Sequence, residues 1–285
     1  MAVLALLTTA LVGIGAMPAN ANSTEDRLFD SAQRAAGSDP VDAQSLDLGV
    51  SVDVKHDAAV AGFGGFEVGP APSADVFSTT VLPAGVRVMS RIDRGAMSTD
   101  FRVDLPAGAT LIPQDGGYVV AIDAGGTRIA LAEIDEPRAV DANGEEVRTS
   151  YSLDGDVVTQ SLHGSEIAYP VVADPTITVG LAGASDGPGA HWNMTGIQVK
   201  IISAVTVSAL GTALAGDCVG AGKIPSVGYI IQGLCGYLGA PTVQNIWGGV
   251  TSIFRNASVQ NTGCYQLKIA PIGKSIHKVD RKNCA

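Results

Sequence analysis

Residues 76–92 read VFSTTVLPAGVRVMSRI, two short apolar or alternating runs, 76–81 and 86–92, joined by Pro83-Ala-Gly85. Runs of this length, rich in β-branched residues and bounded by a Pro/Gly turn, are the pattern of paired strands. The same unit recurs outward to residue 175, with further runs at 101–105, 109–113, 118–121, 127–134, 149–153, 157–162 and 167–172. Turn signals separate them: Pro106-Ala-Gly108, Asp115-Gly-Gly117, Asp123-Ala-Gly-Gly126, Asn143-Gly144 and Asp154-Gly155. The Asp-Gly and Asn-Gly pairs suit tight hairpins whose central residues take φ > 0. Strands recurring about every ten residues predict an antiparallel sandwich or barrel over 76–175.

Upstream of this block the pattern is looser. Ser23 and Asp26 fit a capping box, Leu28, Phe29, Ala32, Ala35 and Ala36 give one weak apolar face, and Gly37 is placed to end a short helix over 23–37. Partial alternation suggests one strand over 46–54, and the Gly/Ala/Pro-rich stretch 59–74 reads as a loop or linker. The first 21 residues read as a secretory signal peptide. Residues 3–14 are almost continuously apolar, Pro18 stops the run, and Ala19-Asn20-Ala21 supplies the small-x-small pattern for cleavage after Ala21. The run is shorter than the roughly 20 residues a membrane span needs. No Lys or Arg precedes it, which departs from the usual leader. The expected destination is extracellular.

Downstream, 176–190 begins as one possible strand and turns into a Gly/Ala/Ser linker. Residues 197–215 are apolar with Lys200, Ser203 and Thr206 three apart, which predicts a helix, and 224–238 predicts a second with Pro225 in its first turn. A third starts at Pro241-Thr242 and carries Val243, Ile246, Trp247, Val250, Ile253 and Phe254 at helical spacing. Runs at 264–269 and 275–279 read as strands around Pro271-Ile-Gly273. The four cysteines, Cys218, Cys235, Cys264 and Cys284, all fall in the last quarter of the chain. In an exported protein they read as two disulfides. Local pairing, Cys218–Cys235 and Cys264–Cys284, is preferred among three possibilities because each closes a short loop containing a turn. Zinc fails on spacing, with no Cys-x-x-Cys and no nearby His pair.

The expected fold is α+β: an antiparallel β-sandwich-like domain followed by a small helical, disulfide-bonded module ending in a β-hairpin. Its divisions are a signal peptide at 1–21, an N-terminal helix, strand and linker at 22–75, the β-rich domain at 76–175, a linker at 176–190 and the stapled module at 191–285. Charge divides the same way. Residues 22–175 hold 25 acidic and 10 basic residues, net −15, whereas 176–285 hold 3 acidic and 8 basic, net +5. The balance argues against nucleic acid as a partner of the whole chain. It leaves an anionic surface, cell envelope or membrane, for the C-terminal part, with Lys274, Lys278, Arg281 and Lys282 as the contacts.

Catalytic motifs are weak. Gly183-Ala-Ser185-Asp-Gly187 matches a nucleophile elbow literally, with His191 nearby, but Pro188 and Gly189 follow where a helix is needed. His56, His163, His191 and His277 stand outside metal-binding spacings, and Asp141 to Glu146 resembles a calcium loop in composition only. No catalytic, cofactor or metal residue is assigned, and no cofactor is expected.

Tyr169-Pro-Val-Val-Ala-Asp-Pro175 resembles the closing heptad of a β-rich domain in a group of secreted actinobacterial proteins without assigned function. Leu105-Pro-Ala-Gly108, Asp115-Gly-Gly117 and Val140-Asp-Ala-Asn-Gly144 match further, while Pro137-Arg-Ala139 stands where that group usually has Pro-Trp-Ala. The resemblance covers about residues 76–175. Similar β-domains precede varied C-terminal modules, including in secreted polymorphic toxins, which implies a carrier or presentation role for the β-domain. The expected function is a secreted, non-enzymatic binding protein of the envelope or extracellular medium. The alternatives are a membrane-active or bacteriocin-like effector, with Lys200, Lys223 and Arg255 near headgroups, and a secreted hydrolase.

Overall fold

The computed structural model describes residues 22–37, 39–40, 52–55, 60–63, 66–70, 77–106, 108–123, 126–181, 184–214, 218–224 and 228–284. The leader expected at 1–21 and most of the strand expected at 46–54 lie outside the described residues. In chain order the elements begin with helix α1 (Asn22–Ala35) and strands β1 (Val52–Lys55), β2 (Val60–Phe63), β3 (Phe66–Pro70), β4 (Phe77–Leu82) and β5 (Gly85–Ile92). Next come β6 (Ser98–Asp104), β7 (Ala109–Gln114), β8 (Gly117–Asp123), β9 (Arg128–Ile134), β10 (Arg138–Val140), β11 (Arg148–Asp154) and β12 (Val157–His163). Then follow β13 (Val171–Asp174), β14 (Thr176–Val179), β15 (Ala190–Thr195), α2 (Gly196–Ser203) and α3 (Val207–Ala213). The chain closes with α4 (Gly228–Leu238), α5 (Ala240–Asn256), β16 (Cys264–Ala270) and β17 (His277–Val279).

The fold is α+β, and its strands pair antiparallel in two sheets. One has the order β1-β2-β3-β6-β12-β11. The other runs β10-β13-β5-β14-β9-β15-β16-β17, with β4 added on β5 and the β7–β8 hairpin on β9. At the β7–β8 turn Asp115 (φ 49) and Gly116 (φ 87) both take the left-handed conformation anticipated for an Asp-Gly pair. Residues 59–74, expected as a loop, contain β2 and β3. Gly and Ala mask the alternation there, yet Phe66 and Val68 are buried.

Strands β13 and β14 follow one another along the same edge of β5, which pairs at residues 90–92 with β13 and at 85–87 with β14. Gly85 is obligatory at that approach, since a Cβ on it would meet Ile177 O at 1.9 Å. On β9, β14 pairs with residues 132–134 and β15 with residues 128–130. The sheet therefore runs without a break from the expected β-domain into the expected C-terminal module, and 176–190 is not a simple linker. Thr176–Val179 is a buried central strand, and only the loop before Ala190 separates it from β15.

One hydrophobic core spans both parts. Its members include Phe66, Phe101 and Val158 from the smaller sheet, Val88, Leu131 and Ile177 from the larger, and Val199, Leu210, Trp247 and Phe254 from the helices. The inner face of the larger sheet is covered by the smaller sheet at one end and by α2–α5 at the other. Trp192 bridges them: it is fully buried, its Nε1 donates to Thr127 Oγ1 at 3.0 Å, and its ring lies 6.1 Å from that of Phe254.

The expected helix over 197–215 is two helices, α2 and α3, bent by 82°. Thr206 explains the break, because its Oγ1 accepts from Ala209 N and caps a new helix start. Helix α5 buries the anticipated stripe of Val243, Trp247, Val250 and Phe254. The hairpin β16–β17 forms with Gln266 opposite His277. Disulfides join Cys218 to Cys235 and Cys264 to Cys284, the local pairing.

Candidate surface-binding face of the C-terminal part

The exposed side of α5 presents Asn245, Gly248, Gly249, Ser252 and Arg255, three and four residues apart and without a carboxylate. At Gly248 and Gly249 the helix has no side chain, and aliphatic residues from two other elements rise beside it. Val207, which opens α3 next to Gly248, is 52% exposed, and Ile272, in the hairpin turn, is 39% exposed. A Cβ on Gly249 would come within 3.1 Å of Ile272 Cδ1, so this glycine lets the hairpin turn rest against the helix. Below the ridge an open groove of about 410 Å³ runs between the end of α5 and the hairpin. Ile253, Val259 and Ile276 give it apolar walls, and Ser252, Tyr265 and Lys274 add polar groups.

The four basic residues picked from sequence do not form one patch. All are exposed. Lys274 lines the groove, and Lys278 reaches the same side, where its Nζ donates to Gln260 Oε1 at 3.4 Å. Arg281 borders a notch beside the Cys264–Cys284 disulfide. Lys282 turns back to the acidic half and pairs with Asp115 at 2.7 Å, so its charge is answered within the molecule. Two cations expected near headgroups in the membrane-active reading join the first pair: Lys200 donates to Asn261 Oδ1 at 2.6 Å, and Arg255 Nε donates to Ser203 O at 3.2 Å. Lys278 and Lys200 thus both brace the loop after α5. Helix α2 also exposes Ile197, Lys200 and Ile201 on one face. No periodicity in the sequence could reveal the ridge, because it joins residues 207, 248, 249 and 272 from three elements.

Acidic residues are nearly absent from this part. Between 184 and 284 the described carboxylates are Asp186, which is half-buried, and Asp280, which is exposed. Asp280 Oδ1 accepts from Lys282 N. Asp186 Oδ1 lies 3.0 Å from His277 Nε2, and Asp186 O accepts from Lys268 Nζ.

The last contact brings a serine, a histidine and an aspartate together, since Ser275 Oγ is 2.9 Å from His277 Nε2. A catalytic triad needs the two ring nitrogens to do different work, one toward the hydroxyl and one toward the carboxylate. Here both partners meet the same Nε2, and no relay exists. Ser185 of the elbow-like motif is exposed in a turn that leads into β15, so the strand–turn–helix of a nucleophile elbow is not formed. Gly183 lies outside the described residues. His191 is 1% exposed, and neither ring nitrogen has a partner among the described residues. Burial, opposed by the nearby Gly189 backbone and helped by Lys268, pulls it down to about 4 and keeps it neutral. Among the described residues no three His, Cys, Asp or Glu side chains are grouped to hold a metal ion.

The heptad that marked the β-domain has a structural explanation. Its Asp174 pairs with Arg87 Nε at 3.0 Å, with side chains 7% and 3% exposed. Burial pushes Asp174 up to about 7 and Asp135 up to about 6, despite Arg87 and Arg138 nearby. Tyr169 donates from its hydroxyl to Ala96 O at 2.9 Å. Asp174 also lines a small cavity of about 80 Å³ beneath α1, with Ala32, Ala36, Arg138 and Glu146. Comparison with protein-family models, curated proteins and solved structures finds no match to the chain.

Proposed function

We propose that this is a secreted, non-enzymatic binding protein of the cell envelope or extracellular medium, and that its C-terminal part makes the contact. The observation that carries the reading is the division of charge across one continuous fold. The exposed cations Lys200, Arg255, Lys274 and Lys278 stand on the helix-and-hairpin side and outnumber the two described carboxylates of that part, Asp186 beside His277 and the exposed Asp280. Two disulfides staple this part and support an oxidising destination. The actinobacterial resemblance and the leader support the same assignment.

Retention of the disulfide-intact protein on isolated bacterial envelopes tests the reading. Retention should fall as salt is raised, because the contact is electrostatic. Exchange of Lys200, Arg255, Lys274 and Lys278 for Gln should abolish it. Absence of salt-sensitive retention refutes the assignment.

A membrane-inserting effector is the second reading, and one observation bears on it. Among the described residues no single helix is long and apolar enough to cross a membrane, although the bent α2–α3 pair passes by length and composition. Val199, Ile202, Leu210 and Leu214 of that pair are fully buried in the core, so insertion would require dismantling it. This favours a folded binding surface.

A further inference from the structure

We infer that the ridge of Val207, Gly248, Gly249 and Ile272, with Lys274 and Arg255 beside it, docks on an anionic phospholipid bilayer while the protein stays folded. The inference rests on the envelope-binding reading and names its partner. Three features of the face point to lipid. Two aliphatic side chains stand partly exposed beside a helix segment that has no side chains of its own to cover them. A bilayer interface accepts such residues a few ångströms deep and needs no complementary pocket. Next, the C-terminal part carries a net positive charge, with Asp280 the one exposed carboxylate among its described residues, which matches the negative potential of anionic headgroups. Finally, the ridge adjoins the groove lined by Ile253, Ile276 and Lys274, where apolar walls lie beside an ammonium group, the order in which a lipid presents chain and phosphate.

Rival partners fit less well. A wall polyanion would be held by the cations alone and would leave Val207 and Ile272 without a role. A protein interface is typically anchored by buried aromatic or arginine side chains. This ridge has no aromatic residue, and Arg255 is tied to Ser203 O.

The test is co-sedimentation of the disulfide-intact protein with phosphatidylcholine vesicles made with or without phosphatidylglycerol. Binding should require phosphatidylglycerol. Each cation near such a surface raises partitioning about fivefold, so Lys274→Gln should lower binding by about that factor. Val207→Asp and Ile272→Asp should each lower it at least about tenfold through lost insertion and added repulsion. Val207 is the more exposed site, and Val207→Ser serves as the milder check if Ile272→Asp disturbs the hairpin. The far-ultraviolet spectrum and melting temperature should stay unchanged.

Vesicle binding that ignores the apolar substitutions but follows salt and Lys274 overturns lipid docking and leaves envelope binding standing. Retention on envelopes without binding to any vesicle does the same, and identifies a polymer or protein partner. Loss of both overturns both readings. Release of trapped dye on binding would overturn docking of an intact fold in favour of insertion.

Discussion

At one end of the larger sheet, β5, β13 and β14 lie under a second sheet and bury the Arg87–Asp174 ion pair on the opposite face. At the other end, β15 and β16 lie under helices and bury a neutral His191. Both ends offer the same kind of inner face, Val88 and Ile177 at one and Trp192 and Leu267 at the other, so a sheet and a helical layer serve equally as covers. They differ in where charge goes. The acidic end answers cations with its carboxylates, in the interior at Arg87 and on the surface at the incoming Lys282. The basic end has few carboxylates to answer its cations, and its lysines remain on the outside. A charge split along the chain therefore marks a difference of surface on one fold, and does not require two separately folded bodies.

The comparison would break most visibly at Trp192, which belongs to the sheet and packs against α5. Trp192→Ala removes a fully buried side chain and should cost about 3–5 kcal/mol. Because the core is shared, unfolding in urea followed by tryptophan fluorescence and by circular dichroism should give one coincident transition, moved as a whole. Two transitions, only one of them moved, would show that the ends fold independently.

Acid separates the ends by sign. His191 has a folded pKa of about 4, below the ordinary value of 6.5, so the unfolded chain takes up the proton first. Its contribution is intact above pH 6.5 and is lost as pH falls toward 4. Asp174 behaves oppositely. Its folded pKa of about 7 lies above the ordinary 3.8, so its contribution is complete below 3.8 and is lost as pH rises through 7. His191→Gln should flatten the decline in stability between about pH 7 and about pH 4.5 by up to about 3 kcal/mol. Asp174→Asn should steepen it, since the native state then no longer gains a proton at that site. Urea midpoints at the two pH values, compared across the three proteins, check both signs. A histidine variant that tracks the wild type would show that His191 is hydrated or paired in solution.

What could be read beforehand follows from which faces are wet. Helix α5 was legible because one side meets solvent, and the apolar stripe from Val243 to Phe254 stands out against Asn245 and Ser252. The β7–β8 hairpin was legible through Asp115-Gly116, and the disulfides through the shortness of the loops they close. Strand β15 was not. Trp192 and Met194 face the core while His191 and Asn193 are buried on the other side, so Ala190–Thr195 does alternate, but this six-residue run is lost between a Gly-rich loop and a long apolar run. Strands β2 and β3 hid among glycines and alanines for a similar reason. The binding ridge was illegible in principle, since residues 207, 248 and 272 become neighbours only after α3, α5 and the hairpin have packed.

The smallest effect concerns the point where the two covers meet. Strand β15 becomes helix α2 at Thr195 with no intervening loop, and a capping box makes the change. Thr195 Oγ1 accepts from Gln198 N, and Gln198 Oε1 accepts from Thr195 N at 2.6 Å. Removing the hydroxyl in Thr195→Ala should cost about 1 kcal/mol, the ordinary worth of a helix cap. Gln198 does something further: its Nε2 donates to Gly126 O at 2.8 Å, in the turn before β9, and so ties α2 to a strand that both ends of the sheet share. If that tie contributes, Gln198→Ala costs more than Thr195→Ala, and the double variant costs less than the sum because both share the box. Equal costs for the two single variants would mean that the cap acts only on its own helix. The sheet and Trp192 would then carry the coupling between the ends without help from this turn.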